Sequence, residues 1–225
     1  MGTICPLPLI MESTIEIYSP TWWENRLGNF TGSEIWKLMT EPRSKKDLLS
    51  KGAETYIREK VYERLSGQPK QSIDNYATAW GHENEPIAKR YYTARTGNEV
   101  IESKLLISES IEGLTGSPDG LVGDEGMIEI KCPFVGSNHL NFFFNEDTFE
   151  TENNEYYYQM QCYLLLSGRK WCDFISFDPR LILSSDAGLY IRRWEANVEV
   201  QERMIEKVTI ARNLFNDYLN AFNKK

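Results

Sequence analysis

Two acids and an amine sit within a short span of this chain: Asp119, Glu129 and Lys131. In Ile128-Glu129-Ile130-Lys131-Cys132 polar and apolar residues alternate, so a strand there sends Glu129 and Lys131 to one face and both isoleucines to the other. Taken alone, this pattern describes any water-facing strand with a Glu–Lys pair. The segment Gly116-Ser117-Pro118-Asp119-Gly120, one strand earlier, changes the reading. A hairpin closed by a three-residue loop, Asp124-Glu125-Gly126, sets Asp119 opposite Lys131 and Leu121 opposite Glu129, with Gly126 in the left-handed position. A four-residue loop would turn Asp119 to the other face unless Gly120 bulges. Two carboxylates converging on one spot repel unless a cation lies between them. Oxygen ligands without His or Cys select Mg2+, or Mn2+ in its place, over zinc. A protonated lysine beside them is no ligand; it orients or deprotonates a water, or neutralises charge growing on a phosphate. These are the parts for metal-assisted phosphodiester hydrolysis.

The rest of the chain reads as the frame for that hairpin. The spacing of Ile35, Trp36, Leu38 and Met39 predicts a helix opened by Thr31-Gly32-Ser33-Glu34, with Ser33 as its N-cap. Helices are expected over about 46–66 and about 74–92; in the second, Pro86 should push Glu85 off helical angles and kink or restart the helix. Strands are expected over about 100–107, 171–178 and 189–194, and helices over about 155–166 and 198–222. Strands framed by helices make the fold α/β or α+β. No repeat, low-complexity tract or Gly/Ser linker divides the 225 residues, so a single domain over 1–225 is expected.

Composition narrows the class further. Apolar residues make up 41% and charged residues 26%, which excludes a disordered or fibrous chain. The longest apolar runs, such as Cys162 to Leu166, are too short to cross a bilayer, and no basic n-region precedes Arg26. No membrane partner and a cytoplasmic location are therefore expected. Net charge is −8, but it is unevenly spread: residues 37–70 carry nine basic and five acidic side chains, while residues 132–168 carry no Lys or Arg. The basic quarter fits either solvated helix faces or a polyanion-binding face. Cys5, Cys132, Cys162 and Cys172 form no C-x-x-C pair, and His82 and His139 stand alone, which argues against zinc and iron–sulfur cages.

Asp119 followed by Glu129-Ile130-Lys131 resembles the D…(D/E)-x-K core of the restriction-endonuclease-like nucleases. Gly81-His82-Glu83-Asn84-Glu85 fits G-x-x-x-E, and Gln159-Met160-Gln161-Cys162-Tyr163 fits Q-x-x-x-Y, two signatures of its exonuclease branch. The phrases Gly116-Ser117-Pro118-Asp119-Gly120 and Glu129-Ile130-Lys131-Cys132-Pro133-Phe134 resemble the family of phage lambda exonuclease and the YqaJ-type viral recombinase nucleases. Arg26-Leu27-Gly28, Thr31-Gly32-Ser33-Glu34 and Pro42-Arg43-Ser44 fit the same family. The likeness runs from about Trp23 to Arg193 and weakens in the N-terminal leader and around Glu146 to Glu155.

The resemblance implies a restriction-endonuclease-like core, a central mixed β-sheet flanked by helices. It implies a Mg2+-dependent exonuclease that degrades one strand of double-stranded DNA from the 5′ end, releasing mononucleotides and leaving a 3′ single-stranded tail. A ring-shaped homotrimer, a single-strand annealing protein as partner, and a phage- or prophage-encoded origin in a bacterial cell are implied with it. Carried over residue by residue, Asp119, Glu129 and the Ile130 carbonyl would bind metal, and Lys131 would position or activate the attacking water. Glu85 would hold metal or water on the far side, Gln159 would support the nucleophile, and Tyr163 would brace it. Arg26, Ser33 and Ser117 would hold the 5′-terminal phosphate. Arg43, with Lys45 and Lys46, would contact the duplex backbone or minor groove. Each residue also has a purely structural counterpart: Gln159 as a buried hydrogen-bonding group, Tyr163 as packing, Ser33 as a cap, Arg26 as a surface ion pair. A structure-specific endonuclease or junction resolvase on the same core, and a non-catalytic DNA-binding relative, are the competing functions.

Overall fold

The computed structural model of the chain describes residues 10–69, 76–183 and 186–224. Its strands form two mixed four-stranded sheets. The first runs in the order β1 (Ile10–Glu16), β3 (Lys104–Ser108), β4 (Leu114–Gly116), β2 (Phe30–Thr31). The second runs β5 (Gly120–Val122), β6 (Gly126–Lys131), β7 (Trp171–Phe177), β8 (Leu189–Glu195). Strands β6 and β7 are parallel, so the chain needs a long crossover between them. Helices α5 (Gly136–Phe144), α6 (Phe149–Glu152) and α7 (Asn154–Ser167) provide it.

Helix α7 lies between two cores. Its side chains are buried almost all round from Tyr157 to Leu166, the signature of a helix enclosed on every side. Cys162, Leu165 and Leu166 enter a core with Phe30, Leu38, Tyr56 and Met204. That core is closed by α2 (Trp36–Met39), α3 (Lys51–Ser66) and the long α8 (Val198–Asn223). Met160, Tyr163 and Leu164 enter a second core with Leu121, Met127 and Phe174 of the second sheet. The sheet's other face, with Val122, Ile128, Ile130 and Ile175, packs against Ala88 and Tyr92 of α4 (Tyr76–Thr96). With both faces covered, any polar side chain on β6 is forced into a dry setting.

Several local expectations are corrected. Ser33 is not an N-cap: it lies inside a 3-10 turn, Gly32–Glu34, and α2 starts only at Trp36. The helix expected from about residue 46 begins at Lys51, because Ser50 Oγ accepts from Ala53 N and fixes the start there. Helix α4 continues through Pro86, so Glu85 keeps a helical position. Pro86 is exposed, which leaves the carbonyl it orphans free to bond water. Strand β3 starts at Lys104, and the earlier residues contribute one isolated bridge, Ile101 to Leu121. Cys5 and the expected start of α4 at residue 74 lie outside the described residues. Strand β1, helix α5 and helix α1 (Pro20–Arg26) were not anticipated. Among the described residues no helix is long and apolar enough to cross a membrane.

Candidate active site

The hairpin pairs Gly120 with Ile128, Leu121 with Met127 and Val122 with Gly126. Continuing this register brings Asp119 level with Glu129, two residues away from the expected partner Lys131. The loop is Gly123-Asp124-Glu125, and Gly123, at φ +52°, takes the left-handed position expected of Gly126. Gly126 is instead a strand residue beneath Trp171, whose ring atoms would lie within 2.4 Å of any added Cβ. An even shift leaves every side chain on its intended face. Asp119, Glu129 and Lys131 therefore share the face that looks toward α7.

Glu129 is 1% exposed. Its Oε1 accepts from Lys131 Nζ at 2.5 Å and from Gln159 Nε2 at 2.7 Å, whereas its Oε2 is buried without a hydrogen-bond partner. Gln159 Nε2 also donates to Tyr163 Oη at 2.8 Å, so Gln159 and Tyr163 form a brace one helical turn long. Asp119 Oδ2 accepts from Ile130 N at 2.6 Å. Burial, then the charges of Glu129 and Glu85, push the Asp119 carboxyl well above the usual carboxylate range. Burial likewise raises Glu129, against the pull of Lys131. For Lys131 burial acts to lower the ammonium, but Glu129 and Asp119 outweigh it and the net shift is upward.

An unpartnered buried carboxylate oxygen beside a second desolvated acid is what a hard cation neutralises. The donor set thus fits Mg2+ or Mn2+. Among the described residues no three acids, histidines or cysteines are already gathered as a ligand cluster. Glu85, the expected third acid, is held by Lys89 Nζ at 3.1 Å on α4.

Asp119, Glu129, Lys131, Gln159, Tyr163, Glu85 and Lys89 line one cleft of about 450 Å3, together with Arg26, Ser33 and Ser117, whereas the Ile130 side chain lies in the core on the sheet's other face. Helix α1 builds the end of this cleft that carries Arg26. Ser19 caps it by accepting from Trp22 N at 3.2 Å, and Pro20 occupies its first turn. Trp22 Nε1 then donates to Ser117 Oγ at 2.9 Å, and the Arg26 guanidinium stacks 4.3 Å from the Trp22 ring centroid. Arg26 is thus fixed by an aromatic ring. No ring carries Ser33, which sits 3.4 Å from Thr31 Oγ1.

Arg43, Lys45 and Lys46 do not reach this cleft. They are exposed on the loop between α2 and α3, where Arg43 borders a separate cavity of about 880 Å3. Sequence reasoning missed Tyr18, Trp22, Lys89 and Lys104, which also line this cleft. The Ser19-Pro20 start of α1 was the available signal for Trp22; no motif marks the other three.

The model of the YqaJ-like viral recombinase domain matches residues 21–170. The structure of an alkaline exonuclease, LHK-Exo of Laribacter hongkongensis, superposes with a TM-score of 0.79 at 30% identity, covering 92% of this chain and 97% of that one. The structure of LHK-Exo in complex with dAMP gives 0.80 at 31% identity, with the same coverage. A phage-related exonuclease from Haemophilus somnus 129PT shares the fold, with a TM-score of 0.72 at 22% identity over 88% of this chain and 99% of that one. None of the curated proteins matches the chain. The family model covers the hairpin, Gln159 and the Arg26 pocket alike, and the chain belongs to the YqaJ-like viral recombinase domain family.

Proposed function

We propose that this protein is a divalent-metal-dependent exonuclease that digests double-stranded DNA from its 5′ ends, releasing mononucleotides and leaving 3′ tails for strand annealing. The observation that carries the reading is the convergence of an orphaned Glu129 oxygen, Asp119 and Lys131 in one cleft with Arg26 and Ser117. An acid pair with a lysine suits hydrolysis of a phosphodiester. A stacked guanidinium beside hydroxyls suits a terminal phosphate. The LHK-Exo complex with dAMP, a mononucleotide, accords with release of such products.

Asp119, Glu129 Oε2 and the Ile130 carbonyl would hold Mg2+, with Glu85 approaching from α4. The ion, when bound, would polarise the phosphoryl oxygen and supply hydroxide near neutral pH. Lys131 positions the attacking water and neutralises charge on the phosphate. Gln159 keeps Glu129 in one rotamer, and Tyr163 keeps Gln159 in place. Arg26, Ser33 and Ser117 anchor the 5′-phosphate, which sets the reacting bond over the acids. A homotrimeric ring, working beside a single-strand annealing protein, would keep the enzyme on its track despite a net charge of −8.

Linear duplexes labelled at either end, with and without a 5′-phosphate, test the reading. Expected is Mg2+-dependent release of mononucleotides from 5′-phosphorylated ends, with closed circles untouched. Cleavage of closed circles would favour a structure-specific endonuclease, and absence of hydrolysis with both Mg2+ and Mn2+ would leave a non-catalytic DNA-binding relative. Light scattering tests the ring: a monomer at micromolar concentration opposes it.

A further inference from the structure

Tyr18 is the one non-glycine residue with positive φ among the described residues, at +65°. It occupies the third position of a turn between β1 and α1, closed by Ser19 N donating to Glu16 O at 3.2 Å. Type II turns reserve that position for glycine or asparagine. Ser19 is extended, with ψ at 160°, because Pro20 follows it, so the chain is committed to turning here. A tyrosine therefore stands where glycine would be free of strain.

Full burial does not offset that strain, since Tyr18 is 60% exposed. Its ring lies between Trp22, which also lines the cleft, and His82. The Trp22 centroid is 5.2 Å away at a tilt of 53°, and His82, on α4, is 5.8 Å away and edge-on. Trp22 links this ring to the anchoring end through Ser117 and Arg26. Tyr18 itself lines the cleft with Asp119 and Lys131. Burial, and next the charges of Glu85 and Asp119, raise its phenol, which places it in the field of both acids. Backbone strain held in an exposed ring bordering a reactive cleft is the pattern of a functional position rather than a packing one.

We propose that Tyr18 is a nucleobase-stacking residue, whose ring takes the base of the nucleotide anchored through its 5′-phosphate by Arg26, Ser33 and Ser117. This rests on the reading of the cleft as a site for 5′ DNA ends. Every base presents a π-face, so the contact is indifferent to sequence, as consumption of successive nucleotides requires.

Binding of dAMP compared with deoxyribose 5-phosphate, which lacks only the base, isolates the stacking contribution. Wild-type protein is expected to bind dAMP about tenfold more tightly. Tyr18→Phe keeps the preference, whereas Tyr18→Leu loses it at the same backbone strain. Tyr18→Gly also loses it, while relieving the turn and leaving the folded state intact should the leucine variant not fold. In duplex digestion, Tyr18→Leu raises KM with little change in kcat. Equal binding of the two probes by the wild type, or a preserved dAMP preference in the Leu or Gly variant, overturns the proposal. Should duplex ends stay intact while the dAMP preference holds, the exonuclease reading fails and the stacking role stands.

Discussion

Gln159 Nε2 lies 2.7 Å from the Glu129 oxygen that Lys131 Nζ also approaches, at 2.5 Å. One oxygen of the buried acid is thereby saturated and the other left bare. Gln159→Leu removes the donor without adding charge. Cleavage is expected to fall 10- to 100-fold, as for other groups that orient a metal ligand, with KM for duplex ends little changed. Initial rates on labelled duplex measure this.

Lys131→Ala is expected to cut cleavage by about 100- to 1,000-fold, as for removal of a group that stabilises transition-state charge, while sparing DNA binding. Full activity in this variant refutes the assignment; electrophoretic mobility shift checks the binding half.

The two desolvated acids weaken the fold when no cation is present. Asp119→Asn is expected to stabilise the metal-free protein by about 1–2 kcal/mol while eliminating activity, a stability–function trade-off. Mg2+ or Mn2+ should raise the melting temperature of the wild type and leave the Asn variant much less affected. Scanning calorimetry on both proteins decides it.

Tyr163 packs where two glycines leave room: a Cβ on Gly32 would come within 2.3 Å of its ring, and one on Gly116 within 2.7 Å. Gly116→Ala should cost about 1–3 kcal/mol by overpacking. Combined with Tyr163→Ala, the two costs should sum to less than their separate values, because one substitution vacates the space the other needs. Denaturant titration of the four proteins tests this coupling.

Asp178 is buried and held by Arg180 through two bonds of 2.7 Å, to Nε and to Nη2. Burial alone would raise its carboxyl, but hydrogen bonds from the Arg180 side chain and backbone outweigh it, and the net shift is downward. A carboxyl lower in the folded than in the unfolded chain stabilises above the unfolded value and loses that contribution as pH falls through the folded one. Arg180→Ala should therefore destabilise by about 1–3 kcal/mol at pH 7, and the difference from wild type should shrink below pH 4. Melting curves at both pH values give the sign.

The chemistry was legible where residue type and alternation coincide. Glu129 and Lys131 on one face of a strand, and Gln159 on an otherwise apolar helix face, marked β6 and α7 as the elements to watch. The hairpin register was not, because two glycines flank the loop and only the bulk of Trp171 decides which one must be strand. Arg26 was readable as a cation but not as a stacked one: its platform, Trp22, is tied to Ser117 across 95 positions of chain. Tyr18 and Lys89 carry no local mark at all, since one reaches the cleft through the turn from β1 into α1 and the other through the packing of α4 on the second sheet. Pro86 does not restart α4, because its exposed position lets water take the carbonyl its missing N–H would have bonded.

Strand β6 is hydrogen-bonded on both flanks, to β5 and to β7. Such a strand has no free margin from which to peel, so exposing it to exchange demands disruption of its neighbours too. Heat inactivation should accordingly coincide with melting of the whole protein instead of preceding it, and the amides of Met127 and Ile128, where β6 is flanked on both sides, should be among the last to take up deuterium.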